Sequence, residues 1–311
     1  MHAITFTEFG APEVLSITDL PDPTPAAGEV VVKVTATTVN PTDLMMRNGA
    51  QAGMMTDLTP PYIAGMEFSG TILNGGDSGM AEGTPVIGVL NPRTPSGGSY
   101  AEQIAVSAKS VAPLSGDIDL EGAATVPMNA LTAALALDFL DLKPGQSILI
   151  TGGAGMLGGS AIQLAKAAGL TVLANVAEKD ADMVAGFGAD HILPRNDFED
   201  ALRAIAPDGV DGMIDGALIG QEVSPLIRDG GGAVSLRGTY KIDDPRLRVL
   251  NVSVLKGMED TATLTRIADL IGSGGLKPRV AEILSYRDAV KGHQMTEAGG
   301  MRGRVVLSFD R

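Results

Sequence analysis

Cysteine and tryptophan are absent from this chain, and histidine occurs only at His2, His191 and His293. Without cysteine there is no disulfide, no iron–sulfur cluster, no thiol nucleophile and no thiolate-bound structural zinc. Three scattered histidines offer little for a histidine-rich metal site, so the expectation is that the chain holds no metal. Basic residues are also few, 23 against 37 acidic ones, for a net charge of −14. That balance argues against a nucleic-acid or anionic-membrane partner. It also means that an anionic ligand must be held by backbone dipoles and a few placed cations. No run of about 18 or more apolar residues suggests a membrane span. The N-terminal MHAITFTEFG has no basic stretch leading into an apolar core, so no secretory signal is visible and the expected location is the cytoplasm.

What is present is glycine, 40 residues of it, in a chain of 311 residues that is 44% hydrophobic. That length suggests about two domains. Residues 1–118 read as mostly β. Short strand candidates at His2–Thr7 and Val14–Asp19 precede the proline-rich Pro21, Pro23 and Pro25. Glu29–Val39 then alternates, with Val30, Val32, Val34 and Ala36 on one face. Further strands are expected at Ser69–Leu73, Val86–Val89 and Tyr100–Val106. Near residue 120 the pattern changes. Glu121–Leu140 reads as a helix, and from Ser147 strands and helices alternate at a spacing that implies a parallel sheet covered on both faces. After Asp260 a helix, a glycine break and a strand–helix–strand tail do not extend that series in an obvious way.

The first strand of the alternating part, Ser147–Thr151, runs into Gly152-Gly153-Ala154-Gly155-Met156-Leu157-Gly158. Gly153, Gly155 and Gly158 fit the GxGxxG turn that presents a dinucleotide pyrophosphate to a helix N-terminus. On its own that pattern is weak in so glycine-rich a chain. Its position between a strand and an amphipathic helix, Gly155–Ala168, is the context it needs. In NAD-selective folds an acidic residue at the end of the second strand bonds the ribose 2′-hydroxyl. Here that strand ends in the neutral Asn175, with Lys179 just beyond and Arg195 after the third strand. The expected cofactor is therefore NADPH. Lys179 reads equally as an exposed lysine at a helix start or as a phosphate contact.

Seven segments then carry a resemblance. Val39-Asn40-Pro41-Thr42-Asp43 is similar to an Asn-Pro-x-Asp turn, and Ile63-Ala64-Gly65-Met66-Glu67-Phe68-Ser69-Gly70 to a Gly-x-Glu-x-x-Gly segment. Gly98-Ser99-Tyr100-Ala101-Glu102 matches a Gly-x-Tyr-Ala-Glu strand. Ala123–Ala133, Gly188-Ala189-Asp190-His191, Gly209-Val210-Asp211 and Gly303-Arg304-Val305-Val306-Leu307 follow in order over nearly the whole length. Together they make the chain resemble the medium-chain dehydrogenase/reductase superfamily, in its zinc-independent quinone oxidoreductase (zeta-crystallin-like) branch. The resemblance implies an α/β protein. A GroES-like β-rich catalytic domain, 1–118 and 261–311, would be interrupted by a Rossmann doubly wound parallel-sheet domain, 119–260. It further implies a homodimer, with Val249–Leu255 a plausible edge strand.

By the same resemblance, zinc-dependent members carry a histidine where this chain has Met66, and a cleft cysteine that this chain lacks. What remains suits hydride transfer from NADPH to a quinone or an α,β-unsaturated carbonyl compound. Asn40 and Asp43 are the expected cleft residues, Asn40 as a hydrogen-bond donor to a carbonyl or to the cofactor amide; a purely structural Asx turn is the alternative. Many relatives have a tyrosine where Met45 stands, and Tyr240, in Arg237-Gly238-Thr239-Tyr240, is either its replacement as proton donor or a surface loop residue. Gly238, Ala217 and Leu218 are expected beside the cofactor, and Met45, Met54 and Tyr62 beside the substrate. Glu67 reads as a buried structural carboxylate with no evident partner. Two other readings stay open. One is an enoyl-thioester reductase, with Arg47 and Arg93 as cations at a channel mouth. The other is a non-catalytic NADPH-binding protein with a redox-sensing or structural role.

Overall fold

The structure is a computed structural model and describes residues 1–236 and 241–311. The chain divides into two compact units, Met1–Met128 with Met258–Arg311, and Asn129–Gly257.

The first unit opens with β1 (His2–Phe6), β2 (Ser16–Asp19) and β3 (Glu29–Val39), followed by α1 (Pro41–Arg47). Then come β4 (Tyr62–Ile63), β5 (Glu67–Asn74), β6 (Pro85–Val89), β7 (Gln103–Ser107), β8 (Val111–Pro113) and the short α2 (Leu120–Ala123). β1 pairs antiparallel with β2 and β4 in a small sheet. β3 is the axis of the larger sheet, antiparallel to β5 and, along Glu29–Lys33, to β7. The alternation in β3 is real but incomplete. Val30, Val32, Val34 and Ala36 are buried, and so are Val31 and Thr37 on the other face, because both faces of this strand are covered.

The expected helix at 121–140 is two helices. α2 ends at Ala123, and α3 (Pro127–Leu140) restarts at Pro127. Proline lacks an N–H and restricts the residue before it, so it begins a helix readily and continues one poorly. α2 packs on β3 and β5, and Ser69 Oγ donates to the Leu120 carbonyl. Residues 119–128 therefore lie in the first unit rather than the second.

The second unit contains β9 (Ser147–Thr151), α4 (Met156–Ala167), β10 (Thr171–Asn175), α5 (Ala181–Ala185), β11 (His191–Leu193), α6 (Phe198–Ile205), β12 (Val210–Asp215), β13 (Ile227–Leu236) and β14 (Arg248–Val252). Every pairing is parallel, in the order β11-β10-β9-β12-β13-β14. This is the doubly wound arrangement, whose strand order reverses between β9 and β12. α4 buries Gly158, Ala161, Ile162, Leu164 and Ala165. Leu157 is only half-buried and Ala168 is exposed.

The tail supplies α7 (Thr261–Gly272), β15 (Val280–Ser285), α8 (Ala289–Ala298) and β16 (Arg304–Ser308). β16 pairs antiparallel with β3 along Ala36–Val39 and parallel with β15. The tail thus completes the first unit's sheet. No helix among the described residues is long and apolar enough to cross a membrane.

Candidate functional site

In the second unit the glycine turn sits where the strand order reverses. Gly152 has φ +66°. Gly155 is the N-cap of α4 and supplies no side-chain cap, so the helix N-terminus is not closed off by its own sequence. Gly158 has a different reason to be glycine: a Cβ there would overlap the Gly152 carbonyl oxygen. The turn is tied to its neighbour strand by the Gly153 N–H, which donates to the Asn175 carbonyl at 3.2 Å. Across the reversal, Thr151 Oγ1 donates to Asp215 Oδ1 at 2.6 Å and accepts from the Ala217 N–H at 3.1 Å. The other Asp215 oxygen accepts from the Gly220 N–H at 2.8 Å. These bonds fix the loop carrying Ala217, which is exposed, and Leu218, which takes φ +60°. A narrow turn, an uncapped helix start and a rigid facing loop fit a dinucleotide pyrophosphate.

At the adjoining end of the sheet, Asn175 is buried and its Nδ2 donates to the Pro194 carbonyl at 2.6 Å and toward the Arg195 carbonyl at 3.5 Å. It thereby anchors the backbone of the loop that carries Arg195. Lys179 and Arg195 are both exposed, and neither has an ion-pair partner among the described residues. Gly238 and Tyr240 lie outside the described residues.

In the first unit, Asn40 and Asp43 come together at the end of β3. Asn40 precedes Pro41, the first residue of α1. Asp43 Oδ2 accepts from the Asn40 N–H at 2.8 Å, and its Oδ1 accepts from the Gly65 N–H at 3.0 Å. Gly65 holds φ +97°, and a Cβ there would run into Ser99 and Tyr100. Asp43 is buried, and burial pushes its carboxyl up to about 7; the Asn40 and Gly65 N–H groups oppose that shift and the nearby Glu67 charge adds to it. Glu67 is fully buried too. Its Oε1 accepts from Thr38 Oγ1 at 2.6 Å and from Asn40 Nδ2 at 3.0 Å, and its Oε2 from the Met128 N–H at 2.8 Å. Sequence reasoning left Glu67 without partners. The available signal was Thr38, near the end of β3 and two residues before Asn40, a spacing that in extended chain puts both side chains on one side.

The same unit contains a pocket of about 160 Å³, lined among others by Met46, Leu58, Pro61, Tyr62, Ile63 and Pro92. Tyr62, expected beside the substrate, is one of its lining residues. Met45 is half-buried, Met54 is 70% exposed, and neither lines this pocket. Met46 does, because consecutive residues of a helix such as α1 point about 100° apart. Arg47 is corrected as well. It is 1% exposed, donates to the Gly10 carbonyl and His293, and is ion-paired with Glu297, so it is not a cation at a channel mouth. Arg93 remains half-buried and donates to Gln51 Oε1 at 2.7 Å. Among the described residues no group of three or more His, Asp or Glu side chains is placed to hold a metal ion.

Two families match. The alcohol dehydrogenase GroES-like domain matches residues 26–116, and the zinc-binding dehydrogenase family matches residues 187–307. A 2-methylene-furan-3-one reductase of Solanum lycopersicum is 28% identical over 99% of this chain and 79% of that protein. An NAD-dependent alcohol dehydrogenase of Sulfolobus acidocaldarius is 26% identical over 99% of each. Among solved structures, the quinone oxidoreductase of Coxiella burnetii superposes with a TM-score of 0.84 at 28% identity, covering 99% of both chains. The glycine turn at the strand reversal, the Asn40–Asp43–Glu67 cluster and these matches across both units agree: the chain is an oxidoreductase that belongs to the medium-chain dehydrogenase/reductase superfamily, in its zinc-independent branch.

Proposed function

We propose that this oxidoreductase uses NADPH to reduce a quinone or an α,β-unsaturated carbonyl compound. The observation that carries the cofactor assignment is at the end of β10. Asn175 is neutral, holds the Arg195 loop through its side chain, and has the exposed Arg195 and Lys179 close by in sequence, neither of them ion-paired among the described residues. A 2′-phosphate meets no carboxylate from Asn175 and has two cations within the adjoining loops. An acidic residue at this strand end would repel it.

The relatives named for furanone and quinone reduction support a conjugated carbonyl acceptor. A pocket of about 160 Å³ is below the roughly 300–1,000 Å³ of sites for drug-sized ligands, which suits a small ring or short enone. Bound NADPH supplies the hydride. The chain must then provide a proton for the reduced oxygen or carbon. Asp43, with its carboxyl raised to about 7, holds and releases a proton near neutrality, which is what general acid–base work requires. Tyr240 is the second candidate. A homodimer through the free edge of β14 is part of the same proposal, since a sheet edge offers unpaired backbone groups.

The test is an NADPH-oxidation screen over quinones, enones and enoyl thioesters, run in parallel with NADH. Turnover of the first two classes with preference for NADPH is the expected result. Preferred use of the thioesters would move the assignment to an enoyl-thioester reductase, and tight NADPH binding with no turnover would make it a binding protein. Arg195→Ala is expected to weaken NADPH roughly tenfold, as loss of one charge-assisted hydrogen bond does, with NADH unaffected. Equal affinity of wild-type protein for the two cofactors would end the NADPH assignment.

A further inference from the structure

The pocket of the first unit has a floor and a mouth of different chemistry. Met46, Ile63 and Pro92 line it and are buried, so its floor is apolar. Tyr62 forms a half-buried wall, its ring stacked on Phe9 with centroids 5.8 Å apart and an interplanar angle of 4°. Asp57 and Thr59 line the pocket and are exposed, which puts them at its mouth. Asp57 is the only charged group among the described lining residues. Its carboxylate has neither an ion pair nor a hydrogen bond to another described residue.

No nearby cation offsets that charge within the pocket. The two arginines that adjoin lining residues in sequence are turned to other partners. Arg47 follows Met46, but its guanidinium is buried against Gly10, His293 and Glu297. Arg93 stands between Pro92 and Thr94, yet it does not line the pocket, and its Nη1 donates to Gln51 Oε1 at 2.7 Å. The mouth is therefore negative. A carboxylate attracts a cationic group and repels an anionic one, and a cleft with low-dielectric walls concentrates that field.

We propose that Asp57 makes this pocket select substrates by charge. It accepts a small conjugated carbonyl compound that is neutral or carries an ammonium group away from the reacting carbon. It turns away one that carries a carboxylate, a sulfonate or a phosphate. This rests on the reading of the chain as a quinone or enone reductase with its acceptor in this pocket, and it names the substrate class of that site. The apolar floor takes the ring and the mouth meets the substituent. Thioesters of a phosphorylated carrier bring phosphates to the mouth and are disfavoured with the other anions.

Three 1,4-benzoquinones that differ only at the end of an ethyl arm test this, the arm ending in trimethylammonium, hydroxyl or sulfonate. The saturated spacer keeps the ring electronically alike across the set, so kcat/KM for NADPH oxidation reports the arm. At low salt the wild-type protein is expected to prefer the cation to the anion about tenfold, roughly threefold from attraction and as much from repulsion at an exposed charge. The difference is expected in KM, with kcat alike, since the arm lies away from the reacting carbon. Sodium chloride at about 0.5 M screens the charge and is expected to reduce the ratio to about two. Asp57→Asn should do the same without salt, and Asp57→Lys should invert the preference. Asp57 is exposed and bonds to no described neighbour, so neither substitution removes a contact that the fold needs. Glu82→Gln removes an exposed carboxylate between β5 and β6 that does not line the pocket. It is expected to keep the wild-type ratio, which separates the charge at the mouth from net charge. A wild-type ratio near one, a ratio that survives in Asp57→Asn, or an equal fall in Glu82→Gln overturns the proposal. NADPH oxidation with none of the three quinones overturns the function reading and the proposal with it, a result distinct from turnover without a charge ranking.

Discussion

Asp43 receives two backbone N–H bonds and is still held near neutrality, because burial outweighs them. That excess has a sign that can be measured. The folded carboxyl titrates at about 7 and the unfolded one at 3.8. As pH rises, the unfolded chain loses this proton first, so the contribution of Asp43 to stability is full below about pH 3.8 and is lost as pH rises through 7. The shift corresponds to about 4 kcal/mol over that window. Asp43→Asn cannot ionise. Denaturant unfolding at several pH values from about 4 to 8 should show the wild type losing about 4 kcal/mol relative to the variant. Parallel stability curves would mean that Asp43 is ionised throughout, and would remove it as the proton-holding group. The Asn-Pro-x-Asp segment marked Asn40 and Asp43 as a pair in sequence. That Glu67, on a different strand, joins them through the Asn40 amide was not legible there.

At the scale of elements, legibility followed length and punctuation. β9, the glycine turn and α4 could be read because a strand, a glycine cluster and a 12-residue helix follow one another. α1 could not. It has seven residues and opens on a proline, too short for a helical period to register, and nothing in the sequence separated Met46, which lines the pocket, from Met45, which does not. The contact between α1 and α8 was further out of reach, since Arg47 and His293 stand 246 residues apart. Arg47 Nη1 donates to His293 Nδ1 at 3.4 Å, which leaves the imidazole hydrogen on Nε2, 3.1 Å from the Tyr100 hydroxyl. Burial, helped by the Arg47 charge, lowers His293 to about 3 from 6.5. Here the sign is the reverse of that for Asp43. The neutral imidazole contributes fully above pH 6.5, and its contribution is lost as pH falls toward 3. His293→Gln should therefore lose less stability on acidification than wild type, by about 3 kcal/mol between pH 6.5 and 4. Across that range the Asp43 and His293 slopes oppose each other, so wild-type stability should look flatter than either single variant reveals. Equal acid sensitivity in wild type and His293→Gln would show that the imidazole protonates without opening the α1–α8 contact.

At the scale of the whole molecule, the two units differ in how their chains are assembled. The second is continuous, and its buried cluster of Leu149, Leu173, Val210, Met213 and Ala233 is drawn from within it. The first is split. Its sheet needs β16 beside the Ala36–Val39 half of β3, and its core includes Leu284, Tyr286, Val305 and Leu307 from the tail. A fragment of residues 1–126 would expose that apolar surface together with an unpaired stretch of β3, a liability that invites aggregation rather than folding. Residues 127–257, which keep α3 whole, have no such debt to the rest of the chain. Circular dichroism with thermal unfolding is expected to show one cooperative transition for 127–257 alone and none for 1–126 alone. Supplying 258–311 in trans should restore ordered structure to 1–126, because the missing strand and its core residues are all on that piece. A cooperative transition in 1–126 by itself would mean that the tail closes a sheet already able to stand without it, and the pairing of β3 with β16 would then contribute little to the stability of the first unit.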